Sequence, residues 1–254
     1  LRDAGSTAFI WETSEGERIA AWGVAAEWRW DGPASIDRAR AEVPALLARV
    51  RSLGGASLPP VAVGVFPFAD DGAAPAYFFV PQRIWMRGRD RAWHEGAFEA
   101  DSVGLEPGGS PGITGAAPRM ADGSGDGFSR DAWAEAVRAT LGRIEEGSLL
   151  KAVLSRSEEV RSQRPYDPAR VFETLRSEQP GSFRFFFLDA DGTAFLGASP
   201  ERLVRLGEGA VVSDAIAGTI RRGATPEEDE ALAAELLASG KDRREHDAVV
   251  RAVR

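Results

Sequence analysis

Between residues 101 and 127 the chain reads DSVGLEPGGSPGITGAAPRMADGSGDG, and 11 of these 27 positions are glycine or proline. Glycine loses the most backbone freedom on ordering, and proline lacks the amide donor that helices and sheets need. A run this dense therefore cannot form the interior of either element, and it predicts a surface connector. It divides the sequence into a strand-rich part at 1–100, the connector at 101–127, and a second region at 128–254. A glycine-rich run can also cradle phosphates. This one lacks both the preceding strand and the Gly-Lys-Ser/Thr ending that such a loop requires.

Ahead of the connector, AFIWETSEGERIAAWGVAAEWRW places two apolar runs around a polar turn and predicts a hairpin. SIDRARAEVPALLARVRSLG predicts a helix ended by Gly54. PPVAVGVFPFADDG and AYFFVPQRIWMRG read as strands punctuated by Pro and Gly. Past the connector, SRDAWAEAVRATLGRIEEG sets Trp133, Val137, Leu141 and Ile144 on one helical stripe that Gly147 closes. Lys151 is then expected on a strand, facing the same way as Val153 and Ser155.

A further helix is expected from Pro168 to about Ser177. Residues 182–219 predict an antiparallel meander with turns at Asp189–Gly192 and Gly207–Gly209, and with Glu201 where one strand hands over to the next. TPEEDEALAAELLASG carries Thr225 as N-cap, Pro226 in the first turn and Glu228 as the partner of a capping box. KDRREHDAVVRAVR starts a last helix whose apolar side holds Val249, Val250 and Val253. No glycine, proline or basic cluster closes that helix, so the sequence is expected to be the N-terminal piece of a longer protein.

The formal net charge of −8 argues against a nucleic-acid surface. With no cysteine, neither a disulfide nor a thiolate metal site can form. His94 and His246 stand alone, which excludes a multi-histidine site. No apolar run approaches a membrane span, and LRDAGSTAF lacks the basic start and apolar run of a secretory signal. A soluble, cytoplasmic protein without nucleic-acid or membrane partners is expected, working as a monomer.

Of the 31 basic residues only Lys151 and Lys241 are lysines. Arginine keeps its proton in proteins, whereas a lysine in a dry pocket can lose it and act as a base. Chance placement is the plain alternative. Three other segments set polar residues among small ones: GASPERL with Glu201, AIAGTIRRG with Gly218 and Thr219, and KDRREHDAV with Asp242 and Glu245. Each has an ordinary explanation. Glu201 can begin a strand with its side chain in water, and Gly218 with Thr219 can simply turn the chain. Asp242 and Glu245 share a helix face, where such pairs are mostly solvated, and Asp242 can cap its helix. Helical acids at that spacing can also offer oxygens to a hard cation.

Taken together, LLKAVLSR, FLGASPERLV, AIAGTIRRG and ELLASGKDRREHDAVV, in this order and at these separations, resemble the chorismate-utilising enzymes. These include isochorismate synthase, salicylate synthase, anthranilate synthase component I and aminodeoxychorismate synthase component I. The resemblance is strong over 128–254. It is weaker but consistent over 9–90, where FIWE and AWGVAAE resemble the opening of isochorismate synthases. It implies an α+β fold of antiparallel β-sheets flanked by helices, with this chain an N-terminal portion. It also implies chorismate as substrate and Mg2+ as cofactor. Lys151 resembles the base that activates water for attack at ring carbon 2, and Glu201 the acid that protonates the departing 4-hydroxyl. Gly218 and Thr219 resemble substrate contacts. Glu245 resembles a direct magnesium ligand and Asp242 an outer-shell one.

The implied chemistry suits these residue types. Exchanging one hydroxyl for another across an allylic system needs a base and an acid with pKa values moved in useful directions, here a lowered lysine and a raised glutamic acid. Two positions separate the branches of the family. Anthranilate synthases usually carry glutamine where Lys151 stands, and many aminodeoxychorismate synthases carry lysine where Ala217 stands. Lys151 with Ala217 points to the water-using branch and to an isochorismate synthase, of the kind that feeds menaquinone or siderophore biosynthesis. The alternatives are a salicylate synthase, which adds pyruvate elimination, and a non-catalytic relative that binds without turnover. The sequence departs from many relatives at Ala215, where they carry proline.

Overall fold

The computed structural model describes residues 6–30, 35–55, 57–67, 75–88, 92–100, 129–156, 160, 165–207 and 209–253. The expected connector at 101–127 lies outside the described residues. The chain divides into two compact units, 1–118 with 162–201 and 119–161 with 202–254.

The first unit is built on antiparallel sheets. Strands β1 (Ala8–Glu12) and β2 (Arg18–Trp22) form the expected hairpin, with Ile10 opposite Ala20. Between them Gly16 takes φ 92° in a turn closed by its N–H to the Thr13 carbonyl. Strand β3 (Ala26–Trp30) leads to helix α1 (Ser35–Leu47). The helix stops seven residues short of Gly54, because Val50–Ser52 pair with residues 98–100 as strand β4. Sheet pairing claims residues that helical periodicity alone extends through. Gly54, at φ 62°, turns the chain after β4 instead.

Strands β5 (Val63–Val65), β6 (Ala76–Val80), β7 (Arg83–Arg87) and β8 (Trp93–Ala100) follow. Helix α3 (Pro168–Glu178; α2 belongs to the other unit) precedes β9 (Phe183–Leu188) and β10 (Ala194–Ser199). The large sheet has the order β10-β9-β1-β2-β7-β8-β4, and the small one β3-β6-β5. Strands from the two ends of this unit's sequence thus lie side by side, with Ile10 opposite Phe186.

Both sheets feed one core. Phe79 of the small sheet, Ile84 and Phe187 of the large one, and Val50 and Phe98 pack together. Every residue of β6 is buried. Its second face meets α1, where Ala39 packs with Trp30, Ala76 and Phe78. On the large sheet, Phe172 of α3 meets Phe186 edge to face at 5.6 Å. Each such buried side chain contributes about 1.5–3 kcal/mol. Buried Tyr77 donates to Glu27 at 2.9 Å; burial and that carboxylate push its phenol well above the ordinary range.

A charged cluster joins α3 to the sheet. Glu12, 1% exposed, accepts from Arg176 at 2.7 and 3.0 Å and from Arg184 at 3.2 Å. Burial raises this carboxyl, but the bonds and charges of Arg176, Arg184 and Arg18 outweigh it and hold it below its usual value.

In the second unit, helix α2 (Arg130–Glu145) starts at Ser129, whose hydroxyl accepts from the Ala132 N–H at 3.1 Å. Gly147, at φ 76°, ends it. Its N–H bonds the Ile144 carbonyl and the Ser148 N–H bonds the Arg143 carbonyl, the paired closure that a left-handed residue permits. Residues 151–156, expected as a strand, have no regular structure. Among the described residues no strand pairs with them, and a lone extended segment has no ladder to hold it.

The expected meander is likewise interrupted. β9 and β10 form a hairpin, whereas β11 (Arg205–Gly207) and β12 (Ala210–Val212) form a separate two-stranded sheet. Helix α4 (Pro226–Ala238) is capped by Thr225, which accepts from the Glu228 N–H at 3.3 Å. Glu228 reaches back one residue further than a capping box requires, to the Ala224 N–H at 2.7 Å. Helix α5 (Gly240–Val253) follows directly. No helix among the described residues is long and apolar enough to cross a membrane.

Candidate active site

The second unit gathers its polar candidates on one face of α5. Asp242, Glu245 and His246 stand at i, i+3 and i+4, a spacing that puts three side chains on one helical surface. Each holds a different piece of chain. Asp242 packs against Gly218, Glu245 pairs with Lys151, and His246 binds the carbonyl of Ala215.

Asp242 sits in the first turn of α5, where a carboxylate is favoured by the helix dipole. Its N–H donates to the Ser239 hydroxyl at 3.3 Å, and that hydroxyl donates back to its carboxylate. Ser239 is thus the residue that caps α5, and the Asp242 carboxylate orients its hydroxyl. Against it lies Gly218 at φ 89°, a backbone state that side chains with a Cβ rarely adopt. A Cβ there would stand 3.1 Å from the Cβ of Asp242, so the loop approaches the helix as closely as glycine allows.

The loop containing Gly218 and exposed Thr219 has no regular structure, yet it is fastened along its length. Asp214 accepts from Arg202 at 2.8 Å. One residue on, the Ala215 carbonyl accepts from His246 Nε2 at 3.2 Å. Further along, Arg221 pairs with Glu228 at 2.6 Å, Arg222 donates to Asp229 at 2.7 Å, and the Gly223 N–H donates to Asp229 at 2.8 Å. The Arg222 and Gly223 bonds hold the Asp229 carboxyl below its ordinary value. Gly223 has no room for a Cβ, which would lie 2.2 Å from the Asp229 backbone nitrogen.

Lys151 reaches α5 from four residues beyond Gly147. Its Nζ lies 3.2 Å from Glu245 Oε1, with both side chains about a third exposed. The structure therefore brings together Lys151, Gly218, Asp242 and Glu245. His246 belongs to the same face; read as a solitary histidine, it has a sequence signal only in its spacing from Asp242.

Glu201 belongs to the other unit, as its last residue. It follows β10 and is exposed. Its N–H donates to the Ser199 hydroxyl at 3.3 Å, and that hydroxyl also faces the Glu201 carbonyl at 3.3 Å. Upstream, Gly197 lies opposite Phe185, whose ring would be 2.7 Å from an added Cβ. The strand end carrying Glu201 is set by that packing.

A hard divalent cation can be held by one or two carboxylates, with waters and a substrate anion completing its shell. Glu245 suits such an ion, since its carboxylate is partly exposed and shares one helical face with Asp242. Asp242 is engaged with Ser239 and would act through water. Among the described residues no group of three or more acidic, histidine or cysteine side chains converges as a ready-made cage.

Residues 117–254 match the family described as chorismate binding enzyme. Over 121 residues the chain is 39% identical to an anthranilate synthase component 1 of Halobacterium salinarum, covering 48% of this chain and 22% of that protein. Over 134 residues it is 38% identical to the salicylate biosynthesis isochorismate synthase of Pseudomonas aeruginosa, covering 53% of this chain and 28% of the relative. The menaquinone-specific isochorismate synthase MenF of Escherichia coli shares the fold, with a TM-score of 0.64 and 19% identity over 98% of this chain. The chain spans 57% of that solved structure, and the matched stretches span less than a third of the two relatives.

Proposed function

The chain belongs to the chorismate-binding enzymes, and from that membership we propose that the full-length protein is an isochorismate synthase. The observation that carries this reading is Lys151, a lysine where the ammonia-using relatives usually have glutamine, paired with Glu245 on the face of α5 whose Asp242 meets Gly218.

In the proposed reaction Lys151 takes a proton from water as the water oxygen bonds to ring carbon 2. The double bond shifts, the bond from carbon 4 to its hydroxyl breaks, and Glu201 gives that oxygen a proton so that it leaves as water. Gly218 and Thr219 lie along the substrate near the reacting hydroxyl. Glu245, with Asp242 through water, would hold magnesium, which when bound would anchor the ring carboxylate and draw electron density from the ring. Positioned acid and base groups of this kind contribute about 10²–10⁴-fold each.

The 39% identity to an anthranilate synthase component 1 favours a second reading, ammonia addition followed by pyruvate loss. Lys151 argues against it, because ammonia needs no added base.

The test is to incubate the full-length protein with chorismate and magnesium, with and without ammonium, and to separate the products. Isochorismate alone is expected. Salicylate with pyruvate would move the assignment to a salicylate synthase, anthranilate to an anthranilate synthase, and binding without turnover to a non-catalytic relative.

A further inference from the structure

In the proposed reaction Lys151 and Glu245 serve different partners, water and metal, yet the structure pairs them with each other at 3.2 Å. Among the described residues Glu245 is the ion-pair partner of Lys151, and Asp242, the other carboxylate of this face, is engaged by Ser239. A carboxylate in contact with an ammonium has its charge already compensated. A divalent ion approaching the same oxygens meets like-charge repulsion from Nζ until the lysine withdraws.

We propose that Lys151 is the resident counter-cation of Glu245, that a divalent metal competes with it for this carboxylate, and that metal entry and release of Lys151 from α5 are one event. This rests on the reading of Glu245 as a metal ligand. It gives the lysine a second reason to be a lysine. Its ammonium is a compact point charge on a flexible stem and can leave a carboxylate, whereas arginine would hold the same group with a two-pronged, planar fork. Both side chains are partly exposed, so the exchange requires no opening of a core.

The experiment measures magnesium affinity of the full-length protein without chorismate, by calorimetric titration, with manganese binding followed by electron spin resonance as a parallel readout. Lys151→Gln and Lys151→Met remove the competing charge and are expected to tighten metal binding by about tenfold. Lys151→Arg is expected to weaken it below wild type, giving an order that a merely structural lysine would not produce. Glu245→Gln is expected to abolish binding at this site. Thermal midpoints confirm that each variant is folded. If Glu245→Gln abolishes binding while both neutral Lys151 variants bind metal no more tightly than wild type, competition is overturned and Glu245 stands as a ligand. If Glu245→Gln binds metal normally, the ligand assignment fails and the competition with it. Absence of metal binding by wild type and by both neutral variants would also overturn the proposal.

Discussion

Glu12 and Arg184, 172 residues apart in sequence, meet with their side chains almost wholly out of water, Arg184 Nε donating to Glu12 Oε2 at 3.2 Å. Arg176 adds two further bonds to the same carboxylate. Removing one member of such a cluster strands buried charge, so Glu12→Ala is expected to cost about 3–5 kcal/mol. Chemical denaturation at neutral pH reads this directly, and a loss under about 1 kcal/mol would show the cluster to be ornamental.

Because the folded protein holds Glu12 below its unfolded value of about 4.5, folding favours the ionised form. The stabilisation is fully present above that value and disappears as pH falls through the lower folded one. Denaturation midpoints of wild type and Glu12→Ala are therefore expected to converge on acidification below pH 4.5. A constant gap down to pH 2 would contradict the assignment.

Asp189 is expected to behave in the opposite sense. Burial is the main cause that raises its carboxyl, with Asp191 and Glu27 adding to it against the Ala190 N–H. A folded value above the unfolded 3.8 means that its contribution is fully present below 3.8 and is lost as pH rises through the folded value, so at neutral pH ionisation opposes folding. Asp189→Asn keeps an acceptor for the Ala190 N–H, which bonds the present carboxylate at 2.6 Å. It should raise the melting temperature at neutral pH and have no such effect at pH 2.

Gly218→Ala combines a positive φ with a contact of 3.1 Å to Asp242. The expected cost is about 1 kcal/mol or more in stability. Since the strain falls beside Thr219, a larger fractional loss should appear in chorismate turnover than in the melting temperature. Wild-type turnover by this variant would separate the loop from the chemistry.

For the reacting groups, Glu201→Gln preserves size and a hydrogen-bond donor but has no proton to give. Turnover is expected to fall by about two to four powers of ten while the chorismate dissociation constant stays close to wild type. Collapse of binding with turnover preserved would make Glu201 a binding residue. Lys151→Gln should lose water addition, and near-normal isochorismate formation would remove the lysine from the role of base.

What sequence disclosed was local. The β1–β2 hairpin, the start of α3 at Pro168, and the Thr225 cap all follow from residues within a few positions of one another. Where two segments compete for the same residues, periodicity misled. Val50–Ser52 read as helix until their partners in β8 are known, and Lys151 reads as strand although no segment among the described residues pairs with it. The α5 face was half legible. Asp242 and Glu245 are visible as a spaced acidic pair, but that one touches Gly218 and the other Lys151 depends on how distant loops return to the helix. His246 carries no motif of its own, and its use as a clamp on Ala215 is purely tertiary.

The pairing of β1 with β9 has a consequence for how the chain is made. Phe9 lies opposite Phe187, so β1 gains one of its two neighbours only after the 178 residues that separate the two positions have been made. At about 5–20 residues per second that interval is on the order of ten to thirty seconds. Throughout it β1 can pair only with β2, leaving one edge of an apolar hairpin open to any extended segment nearby. A nascent chain with such a delay has every use for a holding chaperone, and slow synthesis or a stall before Phe183 would be most hazardous to its yield.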